Sequence, residues 1–341
     1  MQGMQSTPQQ TTQNPIRWGI ISAANIGVKA VAPAIRASSN GKLVVIGSRN
    51  PQEAAQKYSF APEARIYNDY QSVIDDPNID AIYNPLPNGL HAEWTIKALQ
   101  AGKHVLCEKP LSITAQEGKR MMDVAHEHNV LLMEAFMYRF HPQIQWALQQ
   151  VRAGAIGTVR LVRASFSFDI RSKPDDIRLK PELSGGSLMD VGCYPVNFCH
   201  AVYGQMPQVV AARIHTATPG GVDMATNAVL DYGNGNFGLI DCSFELPTRQ
   251  IAEIIGENGT ITIPVPFTPG TSSVAAFIIK NGQMSEQSFE PVDQYQLEVE
   301  HFDHCIQTGQ EPSFRLSETL ENMATIEAIY KAAGHKWPMT E

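Results

Sequence analysis

Between Ile16 and Ala135 short apolar, β-branched runs alternate with stretches of helical spacing, and nothing else in the chain restricts its fold as much. The runs are "IRWGIIS", "KLVVIGS", "IDAIYN", "KHVLCE" and "VLLMEA", with a poorer strand near Arg65 to Tyr67; helical patterns occupy 25–38, 51–58, 89–100 and 114–128 between them. Strands covered on both faces read as continuous apolar runs, and repeated βαβ units build a parallel sheet with helices on either side. Residues 16–137 are therefore expected to form one doubly wound α/β domain, with ligands beyond the carboxyl ends of its strands.

After "FMYRFHP" the pattern changes. Helical spacing over 142–153 gives way to alternating runs such as "TVRLVRASFSFDI", "ATNAVLDY", "NFGLIDCSFE" and "QIAEIIGENGTITI". Alternation of this kind, broken by Gly, Asn and Pro turns, predicts a mainly antiparallel sheet with one face packed and one free. Helical patterns at 188–203, 293–308 and 317–333 make this second domain, 138–341, α+β, with the C-terminal helix expected to pack back on the first domain. The free sheet face is expected to join subunits, as a homodimer or homotetramer.

A length of 341 residues suffices for two such cores. A net charge of -8, with Lys and Arg scattered, supplies no basic footprint for nucleic acid and leaves a small molecule as the expected partner. No apolar run approaches the roughly 18 residues of a membrane span. Residues 1–15, "MQGMQSTPQQTTQNP", lack the apolar centre of a signal peptide and read as an unordered leader or an arm on a neighbouring subunit. Five cysteines in no ligand spacing argue against both a disulfide framework and a metal site, so a cytoplasmic location is expected.

The first strand runs into "GIISAANIGVKAVAPAI". A dinucleotide loop needs small residues where the chain turns near a pyrophosphate and a helix N-terminus to face it. Here the slots read Ser22, Ala24 and Gly27, so two glycines are missing but small residues remain, with Asn25 as a possible N-cap and Ile26 beside it. The second strand ends in Ser48, Arg49 and Asn50. It lacks the carboxylate that holds an NAD ribose and offers a guanidinium to the 2′-phosphate of NADP. The fourth strand delivers "NPLPNGLH", whose Pro85, Leu86, Asn88 and His91 are expected at the cofactor, and the fifth delivers "HVLCEKPLS" to the same edge. Pro110 pushes Lys109 toward extended geometry where strand meets loop, so Glu108-Lys109 is either an exposed ion pair or part of the site.

"NPLPNGLHAEW", "AGKHVLCEKPL", "EAFMYRFHP" and "GGSLMDVGCYPVN", in that order, resemble the Gfo/Idh/MocA family of NAD(P)-dependent oxidoreductases, from about residue 16 to the end. "SAANIG", "MYRFHPQ" and "LMDVGCYPVN" are most similar to the branch holding NADP-dependent aldose dehydrogenases, trans-dihydrodiol dehydrogenase and keto-sugar reductases. The resemblance implies a large, open second sheet and a Lys109 that faces substrate and nicotinamide. It also implies a second motif in Asp190 and Tyr194, which helical spacing would place on one face with Asn197.

On that reading Tyr194 is the expected general acid/base, with the Lys109 ammonium favouring its phenolate. Asp190 is expected to anchor a hydroxyl or to pair with Arg178, and Glu108 to contact the cofactor. Arg178 is placed near cofactor or substrate, and Arg139, with Tyr138 and His141, lines the cleft or packs the domains. Gly185 and Gly186 are read as a tight turn that lets substrate approach, Cys193 as packing, and no metal is needed. The functions in view are an NADP-dependent oxidation of an aldose at C1 or reduction of a keto-sugar, a trans-1,2-dihydrodiol dehydrogenase, and a cofactor-binding regulator that has lost turnover.

Overall fold

The computed structural model describes residues 14–337, so most of the leader at 1–15 lies outside the described residues. The first sheet is formed by β1 (Ile16–Ile20), β2 (Gly41–Gly47), β3 (Arg65–Tyr67), β4 (Ala81–Asn84), β5 (His104–Glu108) and β6 (Leu132–Ala135). Its order is β3-β2-β1-β4-β5-β6 and every pairing is parallel. The crossovers carry α1 (Ala32–Ala37), α2 (Pro51–Lys57), α3 (Gln71–Ile74), α4 (His91–Gln100) and α5 (Ala115–Glu127). Because the order reverses between β1 and β4, the loops leaving those strands part and open a crevice at the carboxyl edge.

Local signals set these helix starts. Asn50 caps α2 by accepting from the Glu53 amide at 3.2 Å, with Pro51 in the first turn. Thr114 caps α5 through the Glu117 amide at 3.1 Å, while the Glu117 carboxylate reaches back to the Ile113 amide at 3.2 Å. Entry to the first helix differs from expectation: the chain is helical from Asn25, passes through a π-helical turn at Gly27–Val31 and only then becomes α1. Asn25 is no cap; the Ser22 hydroxyl accepts from the Ala24 amide at 3.0 Å instead.

The second domain begins with α6 (Pro142–Arg152) and β7 (Val159–Ser167). A π-helical turn at Leu188–Gly192 then runs into α7 (Cys193–Tyr203). There follow β8 (Gln208–Thr216), β9 (Asp223–Asp231), β10 (Phe237–Ser243), β11 (Arg249–Gly256), β12 (Gly259–Ile263), β13 (Val274–Lys280), β14 (Gln283–Phe289), α8 (Gln294–Thr308) and α9 (Leu316–Ala332). These strands make a sheet in the order β14-β13-β12-β11-β7-β10-β9-β8, antiparallel except for β7 beside β10. Its period of two is visible in β10, where Gly238, Ile240 and Cys242 are buried and Phe237 and Leu239 exposed. α7 and α9 cover one face.

The two domains share a core. Phe136 and Tyr138, just beyond β6, meet the Tyr194 ring of α7 at centroid distances of 5.4 and 5.8 Å. From α9, Glu327 accepts from the Ala115 amide at 2.7 Å, and beyond its end Trp337 donates to the Ile113 carbonyl at 2.8 Å. α8 crosses to β1, where Asp303 accepts from the Trp18 indole at 2.8 Å. Among the described residues no helix is long and apolar enough to cross a membrane, and the five cysteines are buried and unbridged.

Burial raises the pKa of Asp303 to about 8, the Trp18 and Ser38 hydrogen bonds pulling the other way. The unfolded chain loses that proton near pH 4, so folding takes up a proton between there and about 8, and this contribution to stability fades as pH rises through that window. Asp303→Asn should therefore gain stability over the parent as pH rises from 5 to 8, read as a Tm difference that widens with pH. A difference constant across that range would contradict the assignment.

Candidate active site

The loop after β1 is held from below. Tyr58 donates to the Ser22 carbonyl at 3.1 Å and Lys57 to the Ala23 carbonyl at 3.2 Å, so the end of α2 grips the turn that lacks two glycines. The third glycine allows a close approach: a Cβ on Gly27 would lie 3.0 Å from the Tyr58 oxygen that holds the turn. Ser22 keeps its hydroxyl proton free to donate, since it already accepts from Ala24. At the end of β2, Ser48 is buried and Arg49 exposed. Glu53, the nearby acid, is already held by Lys57 at 2.7 Å and by the Asn50 amide nitrogen at 3.1 Å. These residues fit a dinucleotide with a 2′-phosphate: small side chains at the turn, a helix N-terminus, and a guanidinium with no unpaired carboxylate beside it.

The loops after β4 and β5 are stapled together. His91 sets one ring nitrogen 2.8 Å from the Pro110 carbonyl and the other 2.7 Å from the Leu86 carbonyl. Burial lowers its pKa to about 4, with the two carbonyls opposing. A neutral ring donates to one of the two carbonyls at a time, and it sits between "NPLPNGLH" and "EKPL". Asn84 orders the same loop, accepting from Leu86 and donating to Thr95. Asn88 spans the crevice to the Ser184 carbonyl at 2.8 Å.

Lys109 leaves the end of β5 and turns into the cleft. Its Nζ donates to the Asp190 carbonyl at 2.8 Å and pairs with the Asp190 carboxylate at 3.1 Å. The other Asp190 oxygen accepts from Arg178 Nε at 2.6 Å. Arg178 is oriented in turn by Asp176, two residues before it. Two cations therefore flank the Asp190 carboxylate, and Asp176 pairs with the outer one, Arg178, at 3.2 Å. Burial alone would raise the Asp190 pKa, but Lys109 and Arg178 hold it down at about 2. Burial alone would lower that of Lys109, yet Asp190 carries it above the usual amine value. Glu108 makes no side-chain bond within this triad: it accepts from the Tyr83 hydroxyl at 2.5 Å and from the Lys109 backbone amide at 3.3 Å.

Tyr194 departs from expectation. Its ring is boxed by Phe136, Tyr138, Phe166 and Phe267, and its hydroxyl meets the Met137 sulfur at 3.6 Å. Lys109 Nζ lies over the ring, 5.2 Å from its centroid, and not at the hydroxyl. Burial raises the phenol pKa well above its ordinary value.

These groups line one cleft of about 840 Å³, together with Ser22, Ala24, Asn25, Ile26, Ser48, Arg49, Asn50, Pro85, Leu86, Asn88, His91 and Glu108. Two expected site residues are not brought there. Asn197 turns inward, its oxygen accepting from Tyr138 and Arg139, because the π turn before α7 offsets it from the Asp190 face. Arg139 is buried with Asn197, Glu318 and the Phe314 ring, and serves domain packing. Conversely Phe166, Phe168, Ile177 and Tyr295 line the cleft without having been singled out. Only Asp176, in "DDIR", left a local signal, as a short-range partner for Arg178.

A parallel sheet in the order 3-2-1-4-5-6, a turn of small residues after its first strand and a lysine held over the same crevice are the features of a nicotinamide-dinucleotide oxidoreductase. The profile described as "Oxidoreductase family, NAD-binding Rossmann fold" matches residues 16–136, and that of the "GFO/IDH/MocA C-terminal domain" matches 144–262. The chain belongs to the Gfo/Idh/MocA family of oxidoreductases. It is 38% identical to D-xylose 1-dehydrogenase (NADP(+)) 2 of Haloferax volcanii, over 93% of this chain and 97% of that one. With trans-1,2-dihydrobenzene-1,2-diol dehydrogenase of Xenopus tropicalis it shares 31% identity over 94% and 99% of the two chains. The crystal structure of a 3-ketoreductase from Actinomadura kijaniata with NADP and TDP-benzene superposes with a TM-score of 0.88 at 29% identity, covering 94% of this chain and 98% of that one.

Since the Asp190 carboxylate holds the Lys109 pKa up, Asp190→Asn should bring it down. Labelling of Lys109 by an amine-selective reagent, followed by mass spectrometry across pH, should then show its midpoint at lower pH than in the parent. An unmoved midpoint would sever Asp190 from Lys109.

Proposed function

We propose that the chain is an NADP-dependent sugar oxidoreductase, transferring hydride between the nicotinamide and an aldose at C1 or the carbonyl of a keto-sugar. Residues 16–137 would hold the cofactor and 138–341 the substrate. The cofactor supplies the hydride chemistry. The observation that carries the reading is the Lys109 ammonium, fixed by Asp190 in the cleft that also receives the β1, β2 and β4 loops. A cation held there is complementary to negative charge developing on the reacting oxygen. Lys109 therefore stabilises charge on that oxygen and, as an ammonium, gives it a proton in the reducing direction. In the oxidising direction the hydroxyl proton passes to a Lys109 amine that has first released its own proton to solvent, with Tyr194 as a neutral phenol that closes the wall.

Arg178 keeps a second charge beside the substrate and Asp190 fixes both cations; Arg49 and Ser48 meet the 2′-phosphate. A dihydrodiol is the second reading, favoured by the apolar surfaces of Phe166, Phe168 and Ile177 on the substrate side. Oligomerisation as a homodimer or homotetramer would use the outer face of the second sheet, where Val210 on β8 and Phe237 and Leu239 on β10 stand exposed.

Reduction of NADP should be followed with pentoses, hexoses and a trans-dihydrodiol; binding of NADP with no turnover on any of them would leave only a regulator. Lys109→Met should lower kcat by about 10² to 10⁴, the usual worth of a positioned acid/base. Tyr194→Phe should cost no more than roughly tenfold, the scale of one neutral hydrogen bond. A Tyr194→Phe loss as large as that of Lys109→Met would return the proton to the phenol. Arg49→Asp should weaken NADP by roughly tenfold to hundredfold, the worth of a hydrogen bond to a charged group, and NAD far less; equal losses would refute the 2′-phosphate assignment.

A further inference from the structure

Outside the cleft, one buried carboxylate gathers more donors than any group within it. Asp223, at the start of β9, accepts at Oδ2 from the Ser187 hydroxyl at 2.6 Å, the Leu188 amide at 2.7 Å and the Thr226 hydroxyl at 3.1 Å. At Oδ1 it accepts from the Tyr330 hydroxyl of α9 at 2.7 Å. It is 1% exposed. Ser187 and Leu188 open the helical segment that carries Asp190, and a negative charge at a helix start is favourable.

The segment tied down there is the one from which the triad hangs. Gly186 donates its amide to the Arg178 carbonyl at 2.9 Å and accepts at its own carbonyl from the Asp190 amide at 3.0 Å. Its φ of 120° excludes other side chains, and a Cβ would lie 2.2 Å from Asp223 Oδ1. A Cβ on Gly185 would come within 2.3 Å of the Arg178 carbonyl oxygen. The two glycines thus serve a close approach between chain segments, where a turn admitting substrate had been expected.

We propose that Asp223 is a positioning residue for the reaction: by clamping Ser187 and Leu188 it fixes Gly186, and through Gly186 it sets Arg178 and Asp190 at the spacing that holds Lys109. Asp223 touches neither cofactor nor substrate. Its effect on turnover passes through the geometry of the triad, and so rests on the reading of Lys109 given above.

The test uses the full-length chain with NADP bound. Asp223→Asn replaces an acceptor-only carboxylate by an amide that accepts at one atom, and kcat should fall about 10- to 100-fold, the range for a displaced catalytic group. NADP affinity, read by fluorescence titration, should stay within about twofold, because the cofactor loops lie on other strands. Ser187→Ala removes one donor, leaves the carboxylate, and should show a smaller loss of the same kind; it decides the matter if Asp223→Asn does not fold. In an Asp190→Asn background the Asp223 substitution should cost little more, since coupled sites are not additive. A crystal structure of the variant should show the Arg178–Asp190 contact opened beyond hydrogen-bond distance. Unchanged kcat, an additive loss in the cycle, or an intact triad would each overturn the proposal. If the parent turned over no sugar or diol, the reading of the function would fall, and the crystal structure would still decide for or against Asp223.

Discussion

One carboxylate between two cations organises the site. Removing charges from water costs several kcal/mol per ion, and the mutual attraction compensates only when the geometry is good. Asp190 meets that condition, with Arg178 Nε at 2.6 Å on one oxygen and Lys109 Nζ at 3.1 Å on the other, the ammonium also bonding the Asp190 carbonyl. The arrangement does more than pair charges. It places the Lys109 ammonium, largely buried, in the crevice and fixes it in direction. A lysine free to sweep through solvent would bind an oxygen as readily before reaction as at the transition state, and would contribute little to rate.

Every part of that arrangement comes from a different place in the chain. Lys109 ends a strand of the first domain, Asp190 sits in a π turn of the second, and Arg178 lies in the loop between β7 and that turn. The site therefore depends on how the domains dock. Docking is secured by shared aromatic packing around Tyr194, by Asp303 on the Trp18 indole, and by α9 laid against the start of α5. The Arg139–Asn197 contact belongs to the same seam.

Much of this was legible in the sequence because it follows from short-range rules. Strands buried on both faces announce themselves as unbroken apolar runs, and βαβ repetition dictates a parallel sheet whose carboxyl edge binds ligands, so "EKP" and "NPLPN" could be assigned to one crevice. The Asp190–Arg178 contact was also open to reading, being twelve residues apart. What could not be read were directions set by distant packing. Helical spacing put Asn197 on the Asp190 face, but a π turn shifts the phase and the side chain points into the domain seam. Tyr194 was expected to set its hydroxyl beside an ammonium; aromatic residues just beyond β6, on β7 and at 267 box its ring, and the hydroxyl meets the Met137 sulfur. Asn25 falls inside the first helical turn and caps nothing, while the Ser22 hydroxyl accepts from the Ala24 amide within the loop. Tyr295 entered the cleft from α8 with no local mark at all.

The central claim is that the Asp190-held ammonium of Lys109 is the group that meets the reacting oxygen. A crystal structure of the ternary complex with NADP and a sugar that is turned over tests it most directly. The account predicts Lys109 Nζ within hydrogen-bond distance of the oxygen on the carbon facing the nicotinamide, with its Asp190 contact retained. An oxygen bound to the Tyr194 hydroxyl, with Lys109 still engaged only by Asp190, would contradict it.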